Sequence, residues 1–147
     1  MKLWAVLFAS CCFFLLSSCQ TAGVVVEESN YSVKQHREAI AKVIFLVGEV
    51  SDNGRVVTSQ YHDRNFKYFQ VTAKTKERLY TRATILGVRR PYRFTVEVRV
   101  ERRDPQTGRF VDLGLDENLS RRQAIAIKNA LTQGRENGGI FDEEAPF

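Results

Sequence analysis

The 147-residue chain has a formal net charge of +5, and its three cysteines all lie within the first 19 residues. The part that follows residue 18 is long enough for one domain with one core, and it contains no internal repeat or sign of a second domain. Since that part keeps a single cysteine, an internal disulfide bond is excluded, and packing of the core must stabilise the domain.

The first 18 residues have the pattern of an export signal. Lys2 supplies a positive charge, an apolar run covers residues 3–16, and the small residues Ser17 and Ser18 follow. The apolar run is shorter than the roughly 20 residues that a membrane-spanning helix needs. We therefore expect residues 1–18 to be removed as a signal peptide.

The end of this signal, Leu16-Ser17-Ser18-Cys19, resembles the lipobox of bacterial lipoproteins. The resemblance implies that the Cys19 thiol is diacylated, that cleavage occurs just before it, and that the new N-terminus is acylated. Several acyl chains, at about 0.8 kcal/mol per buried methylene, would hold the protein on a membrane surface. Gln20 is not the aspartate associated with inner-membrane retention, so the resemblance favours the outer membrane, with the domain facing the periplasm. The alternative is an ordinary secretory signal with an unmodified cysteine.

The mature chain is expected to begin with a tether, residues 19–31, in which residues 24–26 could add an edge strand. A helix is predicted at residues 33–47, with Gly48 as its stop, because apolar residues recur there at helical spacing. Ser32 and Gln35 have the spacing of a capping box at its N-terminus.

Beyond a turn signal at Asn53-Gly54, apolar residues alternate with a period of two, which is typical of β-strands. The clearest strand is residues 92–102, whose one apolar and one polar face suit an antiparallel sheet with one face in water. Further strands are predicted at residues 55–61, 67–73, 79–85 and 109–115. The segments 67–73 and 79–85 could form either a hairpin or one long bent strand.

A second helix is predicted at residues 117–133, with Asp116 as its N-cap and Gly134 as its stop. Residues 136–147 form an irregular acidic tail. The domain, residues 32–135, is therefore predicted to be α+β. We expect a two-layer sandwich, in which an antiparallel sheet of four or five strands carries an N-terminal and a C-terminal helix on one face.

The sequence has no motif typical of catalysis or of metal binding. Its two histidines, His36 and His62, lack a cluster of further ligands, and His36 lies on the apolar side of the first helix, where we expect it to pack. There is no glycine-rich phosphate loop and no Gly-x-Ser-x-Gly nucleophile motif. We therefore expect a non-enzymatic protein without a metal or cofactor, and a hydrolase is the less favoured alternative.

Positive charge is concentrated in residues 61–110, which contain 13 Lys or Arg and 5 Asp or Glu. Its aromatic-rich stretch YHDRNFKYF would suit nucleic acid. Because export keeps the chain from nucleic acid, we expect an anionic envelope lipid or an acidic envelope protein as partner.

Arginines surround a Pro-Tyr corner in residues 87–94, and arginine binds phosphate and carboxylate well. The proposed binding residues are Arg82, Arg89, Arg90, Tyr92, Arg93 and Arg99. The alternative is an ordinary solvated surface.

Two helices on a basic antiparallel sheet form a layout similar to that of lipopolysaccharide-assembly lipoproteins of the outer membrane. The resemblance implies a part in envelope assembly, beside an outer-membrane partner. Two hypotheses of function follow. In the first, the domain is an interaction or scaffold component. In the second, it binds an anionic or apolar envelope molecule, such as lipopolysaccharide, between its helices and its sheet.

Overall fold

The computed structural model describes residues 23–44 and 46–137, and this part of the chain forms six β-strands and two α-helices. In chain order they are β1 (Val24–Ser29), α1 (Val33–Val43), β2 (Val47–Val50), β3 (Val56–Ser59), β4 (Glu77–Leu86), β5 (Tyr92–Arg103), β6 (Phe110–Leu115) and α2 (Glu117–Asn137). The predicted α+β class with an antiparallel sheet is confirmed, although the sheet has six strands and not four or five, because residues 24–29 and 47–50 also pair with it. The signal peptide, the lipobox with Cys19 and residues 138–147 of the tail lie outside the described residues.

The strands form one antiparallel sheet with the order β1-β5-β4-β3-β2. β5 is long enough to pair with two strands along one edge, because β1 lies opposite its first half and β6 opposite its second half. Along its other edge, β5 pairs with β4 from Arg93 opposite Leu86 to Arg102 opposite Glu77. β4 and β5 therefore form the centre of the sheet.

One face of the sheet packs against both helices. Along β5, Phe94, Val96 and Val98 are buried, while the residues between them are polar, as expected of a strand with one wet face. The main core joins residues of the sheet to residues of both helices: Ala39, Ile40, Ile44, Val57, Ala83, Ile85, Phe94, Val96, Ala124, Ile127 and Leu131. The opposite face of the sheet, the outer face, is left to polar and aromatic side chains.

The prediction of a helix as the N-terminal element is wrong, since β1 precedes α1 and pairs with β5. Residues 24–29, within the segment assigned above to the tether, form this strand, so the edge strand considered at residues 24–26 is present and extends to Ser29. α1 also ends at Val43, and Val47 begins β2 instead of continuing the helix. The capping box of Ser32 and Gln35 is present with both of its reciprocal hydrogen bonds, so the predicted start of the helix is confirmed.

The strand predicted at residues 67–73 does not form, and neither does the hairpin or bent strand built on it. These residues belong to the connection between β3 and β4, residues 60–76. The Asp63 carboxylate accepts hydrogen bonds from the backbone amides of Asn65 and Lys67, at 2.7 and 3.0 Å. Such side-chain bonds offer the backbone an alternative to strand pairing, so the chain turns here.

α2 begins as predicted and ends later. Asp116 accepts a hydrogen bond from the Leu119 amide at 3.0 Å, as an N-cap does. The helix then continues through Gly134, the predicted stop, to Asn137. Neither described helix is long and apolar enough to cross a membrane.

Candidate functional site

The outer face carries a groove of about 670 Å³. Its walls come from β2, β3, β4 and the 60–76 connection, and the side chains of Tyr61, Tyr68, Tyr80 and Arg82 line it. Tyr68 is 51% exposed, so the groove presents aromatic surface directly to solvent. We call this feature the outer groove.

His62 fastens the 60–76 connection to the sheet. Its backbone exchanges two hydrogen bonds with Leu79, with N···O distances of 2.9 and 3.1 Å. Its buried ring lies 2.8 Å from the Asp63 carbonyl oxygen through Nδ1 and 2.9 Å from the Thr81 hydroxyl through Nε2. Because a carbonyl can only accept, Nδ1 carries the hydrogen, and Nε2 of the neutral ring accepts from Thr81. Burial lowers the pKa of His62, which favours this neutral form.

Arg78 supports one wall of the outer groove from behind. Its guanidinium carbon lies 3.9 Å from the ring centroids of both Tyr61 and Phe110. Its Nε donates to the carboxylate of Glu101, directly opposite on β5. The Tyr61 ring also meets the Tyr80 ring edge-on, with centroids 6.2 Å apart. Both faces and the charge of Arg78 are therefore occupied within the fold.

Several other arginines of this basic region also serve the fold. Arg103 donates hydrogen bonds to three backbone carbonyls, those of Thr72, Thr75 and Gly108. Arg64 forms ion pairs that tie the 60–76 connection to Glu77 and Asp116. The local excess of positive charge therefore overstates the number of arginines that can bind a partner.

Arg82 and Arg99 lie on the outer face but differ in what they contact. Arg99 binds Asp112 at 2.6 Å and lies 3.7 Å from Glu97, and the hydrogen bond that Arg99 donates to Asp112 raises the pKa of Arg99. Arg82 is exposed and makes no ion pair with any residue that the structure describes. Arg82 is therefore the cation of the outer groove that can accept an external anion. Burial raises the pKa of Tyr80, so its hydroxyl beside Arg82 is a neutral donor.

The other proposed binding residues lie elsewhere. Arg89 and Arg90 are exposed in the turn between β4 and β5, where the Arg90–Pro91 peptide bond is cis, and Arg93 is exposed at the start of β5. Tyr92 points to the helix side, where its ring meets the His36 ring edge-on at a centroid distance of 6.1 Å. The structure thus brings together Arg82 and Arg99 and separates them from the arginines of the turn.

His36 packs in the core, as the sequence predicts. It is fully buried, and its Nδ1 donates to the Ser32 carbonyl oxygen at 2.9 Å. Its Nε2 accepts from the Ser29 hydroxyl at 2.7 Å, so the ring links β1 to the start of α1. Burial lowers the pKa of His36, and the ring is held neutral.

Sequence reasoning missed the tyrosines of the outer groove. The signal was present in YHDRNFKYF, residues 61–69, which contains four aromatic residues. Three of them, Tyr61, Tyr68 and Phe69, line the groove. The prediction of a strand at residues 67–73 obscured this cluster of aromatic residues. In that strand Phe69 would lie in the core, and the pattern indicated no neighbour for Tyr68.

A second, smaller cavity of about 60 Å³ lies between the helices and the sheet. His62, Thr81 and Gln123 contribute to its lining, and the buried Oε1 of Gln123 has no hydrogen-bond partner in the described part of the chain. The space suits about two water molecules.

Among the described residues, no group of three or more His, Cys, Asp or Glu side chains could hold a metal ion.

Comparison with known proteins adds no family to this description. No protein-family model matches the chain. No curated protein matches it either. The function must therefore be inferred from the residues of the chain itself.

Proposed function

We propose that the chain is a lipid-anchored lipoprotein of the bacterial envelope, which binds an acidic segment of another envelope protein in the outer groove. The lipobox supports Cys19 as the point of attachment and the outer membrane as the location. The protein then acts as an interaction or assembly component and not as an enzyme.

One observation carries the binding proposal: Arg82, which makes no ion pair with a described residue, lies in an open groove with one exposed tyrosine, Tyr68, and two half-buried ones, Tyr61 and Tyr80. Tyrosine and arginine are the residue types that contribute most to binding at protein interfaces. A tyrosine supplies a large apolar surface and a hydroxyl, with little conformational entropy to lose. Arg82 adds a forked donor for a carboxylate. This combination favours an acidic peptide segment that also carries an apolar or aromatic side chain.

The bonding of the two imidazoles supports a role without catalysis. Both rings are buried and neutral, with both nitrogens engaged inside the fold, His36 by serine groups and His62 by Asp63 and Thr81. A general base must reach the proton that it abstracts. Neither ring faces the outer groove with a nitrogen available for such a transfer.

A second candidate is the binding of an anionic envelope molecule such as lipopolysaccharide. The volume of the outer groove, about 670 Å³, lies in the range of small-molecule pockets and favours this candidate. The space between helices and sheet, where the sequence hypothesis placed the ligand, does not favour it. The cavity there, about 60 Å³, is too small for an acyl chain or a sugar.

Site-specific photocrosslinking in native membranes tests both candidates. A photoreactive amino acid replaces Gln70, an exposed residue of the outer groove, and in a matched control it replaces Arg121, an exposed residue of α2. We expect a protein adduct from position 70 only, and we expect Arg82→Glu to remove it while Arg121→Glu does not. A glycolipid adduct at position 70 would favour the second candidate. Equal labelling from both positions would refute a binding role for the groove.

A further inference from the structure

The turn between β4 and β5 carries an exposed apolar side chain next to two cations. We call residues 87–91 the hairpin tip. Val88 is 95% exposed, whereas the next most exposed large hydrophobic residue of the described part, Ile125, reaches 54%. Arg89 and Arg90 follow Val88 directly and are exposed. A single exposed apolar side chain is common on protein surfaces, and what distinguishes this one is its position beside two exposed cations in a turn.

The hairpin tip extends beyond the strands beside it. β3 pairs with β4 only as far as Thr84, and β1 pairs with β5 only as far as Tyr92. Residues 87–91 lie past both of these limits. The tip therefore projects beyond the two neighbouring strands.

Arg55 holds the base of the hairpin tip in place. Its Nη1 donates to the Gly87 carbonyl oxygen, and its guanidinium carbon lies 5.5 Å from the centroid of the Tyr92 ring. Gly87 has a φ of 109°, in the left-handed region that glycine adopts readily. The conformation that projects Val88 is thus defined by contacts at its base.

The charge that the tip can offer comes from Arg89 and Arg90. Neither forms an ion pair with a residue that the structure describes. Arg93, close by on β5, already interacts with another part of the protein. Two uncommitted guanidinium groups beside an exposed valine match a membrane surface, where phosphates lie just above the acyl chains.

We infer that the hairpin tip inserts into the surface of an anionic lipid bilayer. Val88 enters the boundary between headgroups and acyl chains, and Arg89 and Arg90 bind lipid phosphates. This contact is separate from the outer groove. The proposed function determines only which membrane the tip contacts, namely the membrane that holds Cys19.

Fluorescence of the full-length protein on vesicles tests the inference. A polarity-sensitive fluorescent amino acid replaces Val88 or, in the matched control, Ile125 of α2. On phosphatidylglycerol-containing vesicles we expect a blue shift and quenching by spin-labelled lipids at position 88 and neither at position 125. We expect Arg89→Gln with Arg90→Gln to weaken the vesicle partitioning of protein that lacks acyl chains by roughly 30-fold, about fivefold for each arginine.

The controls keep this test apart from the proposed function. On phosphatidylcholine vesicles the double variant and the unchanged protein should behave alike, because no anionic lipid is present. Circular dichroism checks that the variants fold. A label at position 88 that stays in water on anionic vesicles would overturn the inference, whether or not Cys19 is acylated. Loss of the groove adduct at position 70 would leave it unaffected.

Discussion

Replacing Arg78 with alanine is expected to destabilise the domain by about 2–3 kcal/mol, although the residue lies on the outer face. Each of the two cation–π contacts, to Tyr61 and Phe110, contributes about 0.5–1 kcal/mol, and more when water is excluded. The ion pair with Glu101 has side-chain exposures of only 19% and 18%, so the variant also leaves a partly buried carboxylate without its charged partner, at about 1 kcal/mol. Urea unfolding followed by circular dichroism at pH 7 measures the change.

Arg82 provides the matched control, since it lies four residues away on the same strand and face. Arg82→Ala should change the free energy of unfolding by less than about 0.5 kcal/mol, because the side chain is exposed and makes no ion pair among the described residues. Arg78→Lys keeps the charge without the planar surface and should give an intermediate loss. If Arg78→Ala and Arg82→Ala destabilise the domain equally, the distinction between a supporting and a binding arginine is wrong.

Three further predictions concern the core and the helix ends. Burial holds the pKa of His36 and His62 below the ordinary value of 6.5. The stabilising contribution of the two neutral rings should therefore be fully present above about pH 6.5 and should be lost as the pH drops through the lowered pKa values. Urea unfolding between pH 7.5 and 4.5 measures the change, and a free energy of unfolding that rises towards acid would contradict it. Ser32→Ala removes the N-cap of α1 and should lower the free energy of unfolding by about 1 kcal/mol, whereas Ser32→Asp should keep most of this free energy. Equal unfolding midpoints for the unchanged protein and the two variants would argue against the cap. Gln123→Met removes a buried carbonyl oxygen that has no hydrogen-bond partner among the described residues, and thermal unfolding should show unchanged or higher stability. A loss above about 2 kcal/mol would mean that the amide is hydrogen-bonded, for example to water in the adjoining cavity.

Local patterns in the sequence were sufficient for the central strands and for the start of each helix. The alternation in β5 identifies its buried face directly, because every second residue must lie against the helices. The capping residues Ser32 and Asp116 act within three residues of themselves, so their spacing is visible in the sequence. These elements depend little on distant parts of the chain.

The errors concern elements that depend on distant partners. β1 forms because Val24 lies opposite Val96, a pairing that no local pattern reveals. Gly48 does not stop the first helix. It lies in β2 against β3, where an added Cβ would come within 3.0 Å of the Ser59 carbonyl oxygen. The close approach of two strands, and not a helix end, therefore favours glycine at this position.

The candidate site was only partly predictable, for the same reason. Counting charges identifies a basic region, but it cannot tell that Arg99 is bound to Asp112 while Arg82 is uncommitted. That difference arises from the pairing of β5 with β6, which places Asp112 beside Arg99. The tyrosines of the outer groove likewise depend on how the 60–76 connection folds back over the sheet.

The proposed attachment to a membrane determines which partners the outer groove and the hairpin tip can meet. Intact-mass spectrometry of the native protein, extracted from membranes with detergent, tests this attachment most directly. Our account predicts a polypeptide that starts at Cys19 and carries the added mass of fatty acyl chains. A polypeptide that starts at another residue, or an unmodified Cys19, would contradict it.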